Sequence, residues 1–425
     1  MSADLEATFV DVARRHERMF WLDGGGSRAW SGRRSILGHL RDEDVSLTYD
    51  AHARQVCRHQ HGHAEVVGDD VFTVLCGELA RDAGDRRVSW VGYLGYAARP
   101  DLPAATSPGP VPDAVWMRVR DPLVVEHPDG PGSRHPARRP PATPTTGVPR
   151  DYAVAFAEVQ EQLRAGNSYE VNLTYREELE STVDPVSAYL ALRAASPAPY
   201  AGFLQHNGTR LLSSSPERFA TIGRDRWLET KPIKGTTPRG ATAQEDAEHL
   251  RVLSTDPKFR AENLMIVDLL RNDLSQVCDA GTVTVPVLMD VESYASVHQL
   301  VSTVRGRLRE GTGTVDALRA LFPAGSMTGA PKLRTMQIIE AVEGSPRGVY
   351  AGAFGWLGTD GRADLGVVIR SLVAQPVTQP VTRPGGGPWR YRLGTGGGVT
   401  VRSDLAEEYA ESRWKAARLR AAVTG

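Results

Sequence analysis

Lys231-Pro232-Ile233-Lys234-Gly235-Thr236-Thr237-Pro238-Arg239-Gly240 is the stretch from which the rest of the chain is best read. An apolar residue precedes Lys234, and a Gly-Thr turn signal follows it. Lysine is scarce: Lys231, Lys234, Lys258, Lys332 and Lys415 are the whole complement, and arginine carries the remaining basic charge. Arginine replaces lysine freely as a solvated charge, but it stays protonated at any working pH and cannot attack an electrophile. A lysine kept at this place is therefore a candidate for chemistry, because burial lowers an amine's pKa and frees its lone pair. The alternative is a lysine that caps a turn or pairs with a carboxylate.

The 425 residues are enough for one large or two ordinary domains with a substantial core. Acidic and basic residues number 51 and 50, so no broad field favours nucleic acid or an anionic membrane. Cys57, Cys76 and Cys278 are odd in number and far apart, which argues against a disulfide framework or a cysteine zinc site. The N-terminus is acidic and reads as no signal peptide, and no apolar run approaches the ~20 residues that span a bilayer. The expectation is a cytoplasmic enzyme without a nucleic-acid or membrane partner.

Pro, Gly, Arg and Thr crowd residues 127–150, which reads as an exposed connection. It divides the chain into an N-terminal region, 1–130, a linker, 131–150, and a C-terminal region, 151–423. A second such stretch, 375–388, reads as a hairpin insertion between strands at 364–373 and 389–393. Helical spacing predicts helices over 7–17, 72–83, 152–165, 261–272, 331–342 and 404–422. Strands are expected at 169–175, 200–205, 210–213 and 219–222. Together they predict an α/β or α+β fold, with large mixed or antiparallel sheets packed against helices.

Several segments carry groups suited to a site. On the last helix Glu408 and Glu411 project together and Glu411 also neighbours Glu407, since positions three and four apart are neighbours. Glu262 opens another acidic helix, and carboxylates from two helices suit Mg²⁺. Gly394-Thr395-Gly396-Gly397-Gly398-Val399 follows a strand; its backbone could approach an anion closely, or be a flexible turn. The run from Gly325 to Lys332 lacks the ending of a phosphate loop but offers hydroxyls at a helix start. Arg370 is a charge in an apolar strand pattern, suited to a ligand carboxylate. Glu217 follows a proline at a turn and suits a general acid if burial raises its pKa. His298, taken alone, reads as a satisfied core histidine.

In order along the chain, Ser-Tyr-Glu-Val-Asn-Leu, Ser-Pro-Glu-Arg-Phe, Pro-Ile-Lys-Gly-Thr, Ala-Glu-Asn-Leu-Met-Ile-Val-Asp, His-Gln-Leu-Val-Ser, Gly-Ser-Met-Thr-Gly-Ala-Pro-Lys, Val-Ile-Arg-Ser and Gly-Gly-Gly-Val closely resemble the chorismate-utilising enzymes. The resemblance is strong from about residue 151 to 423 and weaker before it. It implies a two-subdomain fold like that of anthranilate synthase component I. Lys234 points to the branch that makes 4-amino-4-deoxychorismate from chorismate and ammonia for p-aminobenzoate and folate; the anthranilate branch carries Ala there and is the alternative. The implied roles are Lys234 as nucleophile at ring carbon C2 and Glu217 as general acid on the C4 hydroxyl. Glu262 and Glu411 are implied as Mg²⁺ ligands supported by Glu408. Tyr350, Arg370 and the amides of Gly396, Gly397 and Gly398 are implied to hold substrate, with Gly235, Thr236, Ser326 and His298 lining the pocket. A separate glutamine amidotransferase subunit is the implied ammonia source. Two positions depart from the family pattern: Phe259 stands where an acid is common, and Glu170 stands where Gln, or a water-activating Lys, is found.

Overall fold

The computed structural model describes residues 2–24, 31, 34–127, 147–294, 297–377 and 388–424. Two large sheets dominate, and every strand pairing among the described residues is antiparallel. The nine-stranded sheet runs in the order Gly329–Ala330, Glu170–Ser181, Trp389–Val399, Ser371–Pro376, Thr209–Ser215, Tyr200–His206, Arg18–Asp23, Arg34–His39 and Leu123–Glu126. The twelve-stranded sheet runs Ile233–Pro238, Val297–Arg307, Trp227–Lys231, Arg218–Ile222, Ala363–Val367, Ala353–Gly358, Val88–Leu94, Ala114–Arg120, Ser46–Asp50, Gln55–Gln60 and His63–Gly68, with Thr284–Ser293 also on Val297–Arg307. Strands from residues 1–130 thus pair with strands from 151–423 in both sheets: Arg18–Asp23 lies against Tyr200–His206, and Val88–Leu94 against Ala353–Gly358. Most of the expected 131–150 linker lies outside the described residues, and the helix Arg150–Arg164 begins at its last position.

The sheets face each other through a core that joins Phe20, Tyr200, Leu204 and Leu211 of one to Tyr93, Val115, Met117 and Phe354 of the other. Helices cover the outer faces. Ser2–Arg15, Pro185–Ala195 and Leu405–Thr424 pack Phe9, Tyr189 and Leu419 onto the nine-stranded sheet. Val71–Arg81, Pro257–Ser275 and Thr314–Leu321 pack Phe72, Ile266 and Leu318 onto the other. A strand covered on both faces has no solvent side, so Tyr200–His206 is buried at every position instead of alternating.

Two departures from the expected elements shape the site. The helix expected at 261 starts a turn earlier, at Pro257, because the Asp256 side chain caps the amides of Lys258 and Phe259 and proline is tolerated in a first helical turn. The single strand expected over 364–373 is two. Ala363–Val367 belongs to the twelve-stranded sheet and Ser371–Pro376 to the nine-stranded one. Between them the chain turns a corner at Arg370, whose φ of 48° is left-handed, a conformation costing about 1–3 kcal/mol that the flanking strands must hold. The stretch expected as a hairpin insertion lies largely outside the described residues, though the flanking strands do pair, Pro376 opposite Trp389.

Candidate active site

A cleft opens where the sheets meet. Lys234, Gly235 and Thr236 come from an edge strand of the twelve-stranded sheet, Gly394–Gly398 from the nine-stranded sheet, Arg370 from the corner between the two, and Glu262, Glu408 and Glu411 from two helices. Glu217, Ser326 and Tyr350 complete the wall. At Gly235 the ladder with Val297–Arg307 slips register, and φ is 98°. A Cβ there would lie 2.9 Å from Leu253 and 3.2 Å from Phe259, so backbone angle and space both require glycine.

The glycine run is strand, not turn, and lies within Trp389–Val399. On one side its ladder with Glu170–Ser181 continues to Val399 opposite Val171; on the other, pairing with Ser371–Pro376 stops at Leu393. Successive amides of a strand point to opposite sides. Alternate N–H groups past Leu393 therefore face away from the ladder, on a stretch that lines the cleft. Missing side chains leave room for charge. A Cβ on Gly398 would sit 2.2 Å from a Glu170 carboxylate oxygen and 3.0 Å from Lys234 Nζ; one on Gly397 would lie 3.3 Å from Glu408.

Lys234 is not the free amine the sequence suggested. Its Nζ donates to Glu170 Oε1, and both residues are buried. Burial pulls the amine's pKa down, but Glu170, Glu262 and Glu217 outweigh it, and the net displacement is above the ordinary lysine value. The resting group is an ammonium. Scarcity did mark where lysine matters, for every lysine holds a carboxylate: Lys231–Glu292 at 2.9 Å, Lys258–Glu408 at 3.0 Å, Lys332–Asp273 at 2.7 Å, Lys415–Glu411 at 2.7 Å, and Lys234–Glu170.

Burial pushes the Glu217 carboxyl up to about 7, although Ser326 Oγ donates to it at 2.6 Å. Glu217 therefore carries a proton through much of the neutral range. Arg370 faces the cleft with no side-chain hydrogen bond or ion pair among the described residues, and burial, with Arg418 nearby, lowers its pKa to about 10. A guanidinium left in this state is a ready partner for an anion. The Tyr350 ring has the Arg176 guanidinium 5.9 Å from its centroid.

Of the acids proposed to bind metal, Glu262 is buried, its Oε1 has no hydrogen-bond partner, and burial followed by Glu170 raises its pKa to about 7. Glu408 also accepts from Ser403 Oγ at 2.7 Å. Lys415, more than any other group, holds Glu411 below the usual carboxylate range. No three His, Cys, Asp or Glu side chains among the described residues stand close enough to form a metal centre as they are. Two of the three acids already hold ammonium groups, and the third keeps an unused oxygen.

His298 does not line the cleft. Its ring is buried between Ser293, 2.7 Å from Nδ1, and Asp246, 3.0 Å from Nε2. Side chains alternate along the strand Val297–Arg307, so the inward residue is the next one, Gln299, which lines the cleft with its Oε1 unpaired. Only the strand's register could have separated the two. Lys258, Lys415 and Asn172 also line the cleft without having been singled out for it, as does Phe259, noted in the sequence only as a departure from the family pattern. No helix among the described residues is long and apolar enough to cross a membrane.

The sequence profile of chorismate binding enzymes matches residues 41–421. An aminodeoxychorismate synthase of Streptomyces griseus is 40% identical over 98% of this chain, which spans 62% of that protein. A Streptomyces pristinaespiralis protein of the same name is spanned to 64%, so the chain covers less than two thirds of these relatives. Anthranilate synthase component 1 of Methanothermobacter marburgensis is 37% identical over 97% of this chain and 91% of its own length. Among solved structures, anthranilate synthase component I from Streptococcus pneumoniae superposes with a TM-score of 0.71 at 24% identity, covering 92% of this chain and 93% of that one. That likeness speaks for the fold.

Proposed function

From the fact that the chain belongs to the chorismate binding enzymes, we propose that it replaces the C4 hydroxyl of chorismate with an amino group, giving 4-amino-4-deoxychorismate on the way to p-aminobenzoate and folate. The observation that carries this reading is a primary amine, Lys234, buried in the same cleft as a carboxyl group whose pKa burial raises to about 7, Glu217, and a guanidinium with no side-chain partner among the described residues, Arg370. Arg370 and the outward amides of the glycine strand bind the substrate's carboxylates. Lys234 attacks C2 while Glu217 protonates the departing C4 hydroxyl. Ammonia then adds at C4 and the lysine leaves. The covalent intermediate splits one hard substitution into two easier ones.

The donor set also fits Mg²⁺, which takes carboxylate oxygens and keeps waters. Glu262, with its unpartnered oxygen, and Glu411 would hold it, with Glu408 in support. When bound, such an ion acts as a Lewis acid on a substrate carboxylate and draws electron density from the ring. Lys258 and Lys415 hold two of these acids, Glu408 and Glu411. Ammonia comes from a glutamine amidotransferase partner in the cytoplasm, and an ammonium salt replaces it in vitro.

The near-complete overlap with the Methanothermobacter protein makes anthranilate formation the second reading. Incubation with chorismate, Mg²⁺ and an ammonium salt separates them. Product that becomes p-aminobenzoate only after a lyase is added supports the first; anthranilate formed directly overturns it.

A further inference from the structure

Lys234 must lose a proton before it attacks, and the carboxylate beside it is placed to take that proton. We propose that Glu170 receives the Lys234 proton as the amine attacks and returns it as the amine departs. The inference rests on the reading of Lys234 as the nucleophile.

Glu170 is fully buried, and its Oε1 accepts from Lys234 Nζ. Its Oε2 is buried and has no partner among the described residues. A protonated carboxyl keeps an acceptor while gaining a donor, so the proton has a resting place without loss of contact with the amine. Gly398 covers the pair with no side chain, which keeps Nζ next to the cleft wall. Glu217, just before the strand Arg218–Ile222, Glu262 from one helix and Glu411 from the last helix act electrostatically on Nζ, and Lys258, Arg370, Glu408 and Lys415 line the same cleft. Of the carboxylates, Glu170 alone lies within ion-pair distance of Nζ among the described residues; Glu411 is held by Lys415 and Glu217 takes the Ser326 hydroxyl. A pair out of water pays for two charges, and moving the proton within the pair removes both. Substrate that displaces water from the cleft therefore favours the neutral pair, in which the amine is nucleophilic.

The protons balance. The ammonium of Lys234 passes one proton to Glu170. The amine lone pair then forms the bond to C2, the ring electrons shift, and the C4–O bond breaks with the Glu217 proton leaving on water. Ammonia forms the bond to C4, the electrons shift back, and the C2–N bond breaks to release neutral Lys234. The new C4 ammonium returns a proton to Glu217, and Glu170 returns its own to Lys234. The sum is chorismate plus ammonia to aminodeoxychorismate plus water.

Glu170→Gln preserves size and an acceptor but cannot store the proton. With ammonia as donor, its turnover at neutral pH falls roughly 10²-fold, and its pH optimum moves up by about one unit, because the amine must now lose its proton to solvent. Glu170→Asp recovers part of the rate, and chorismate binding at equilibrium is unchanged. A second readout needs no turnover: acylation of Lys234 by acetic anhydride, followed by peptide mass spectrometry across pH. Its midpoint falls in Glu170→Gln, because the amine has lost its anion. The two shifts run in opposite directions, which the loss of a merely structural contact does not produce. A variant with the wild-type pH profile and the wild-type acylation midpoint overturns the proposal. If the wild-type protein makes no aminodeoxychorismate, the functional reading fails, and the acylation midpoint still decides where the proton sits.

Discussion

Glu343 and Glu217 are both buried glutamates, and they resolve the cost of burial in opposite ways. Behind the cleft, Glu343 Oε1 accepts from the Thr174 amide at 2.9 Å, the Thr174 hydroxyl at 2.8 Å and Arg347 at 2.7 Å, and Oε2 accepts from Arg176 at 2.6 Å and Arg347 at 3.0 Å. Burial raises its pKa, but Arg347 and Arg176 outweigh that and hold it below the ordinary value. Glu217 faces the cleft with one hydroxyl donor, and burial carries it up to about 7. The first is a charge fully answered by the protein and serves the frame. The second is left unanswered, together with Arg370, Glu262 and Gln299, and serves whatever enters.

Breaking this contrast should separate activity from stability. The largest effect is expected for Lys234→Ala, which loses aminodeoxychorismate formation by about 10³-fold or more, on the scale of nucleophile removal elsewhere, while still binding chorismate in a titration. Normal turnover in that variant would remove the distinction between the two regions. Glu343→Ala leaves two arginines buried without their anion and should cost about 3–5 kcal/mol in a denaturant titration. A stable variant would show that the rear network is not part of the frame. Glu217→Gln should lower turnover about 10²-fold without a comparable loss of stability.

The pH dependence of stability sharpens the same contrast. Glu217 has its folded pKa raised to about 7, so the folded state binds its proton more tightly than the unfolded chain does. The stabilisation it brings is complete below the unfolded carboxyl value and is lost as pH climbs toward about 7. Glu343 has its folded pKa lowered, so its contribution is present above the unfolded value and lost as pH falls through the folded one. Melting temperatures measured from pH 4 to 8 should therefore decline less steeply toward neutrality in Glu217→Gln than in the wild type. An unaltered slope would mean that Glu217 is ionised throughout. The smallest effect is expected for Gly398→Ala. The added methyl presses on Glu170 and Lys234, so turnover should fall well before unfolding shifts measurably in a thermal melt.

Residue chemistry made most of the site legible before any fold was known. Lys234, the helix acids Glu262, Glu408 and Glu411, and Arg370 in its apolar run were each singled out in the sequence, and all line one cleft. What escaped were properties that need a second strand. The resting charge of Lys234 depends on Glu170, which is 64 residues away and meets it across two sheets. The glycine run became strand because a ladder partner lay alongside it, which composition cannot show. His298 and Gln299 differ only in which way the strand turns them. Local signals were also passed over: the Asp256-Pro257 start of one helix, the Asp184-Pro185 start of Pro185–Ala195, and the reciprocal cap of Thr242 and Glu245 on Ala243–Thr255. Each is a short polar side chain satisfying free helix amides, and each was readable in principle.

Lys234 hangs from one sheet and Glu170 from the other, so this buried ion pair sits in the seam of the molecule. Drift of one layer against its neighbour would be felt first as a changed grip on a single nitrogen. The rims His63–Gly68 and Leu123–Glu126 lie at the far ends of the two sheet orders, away from this seam.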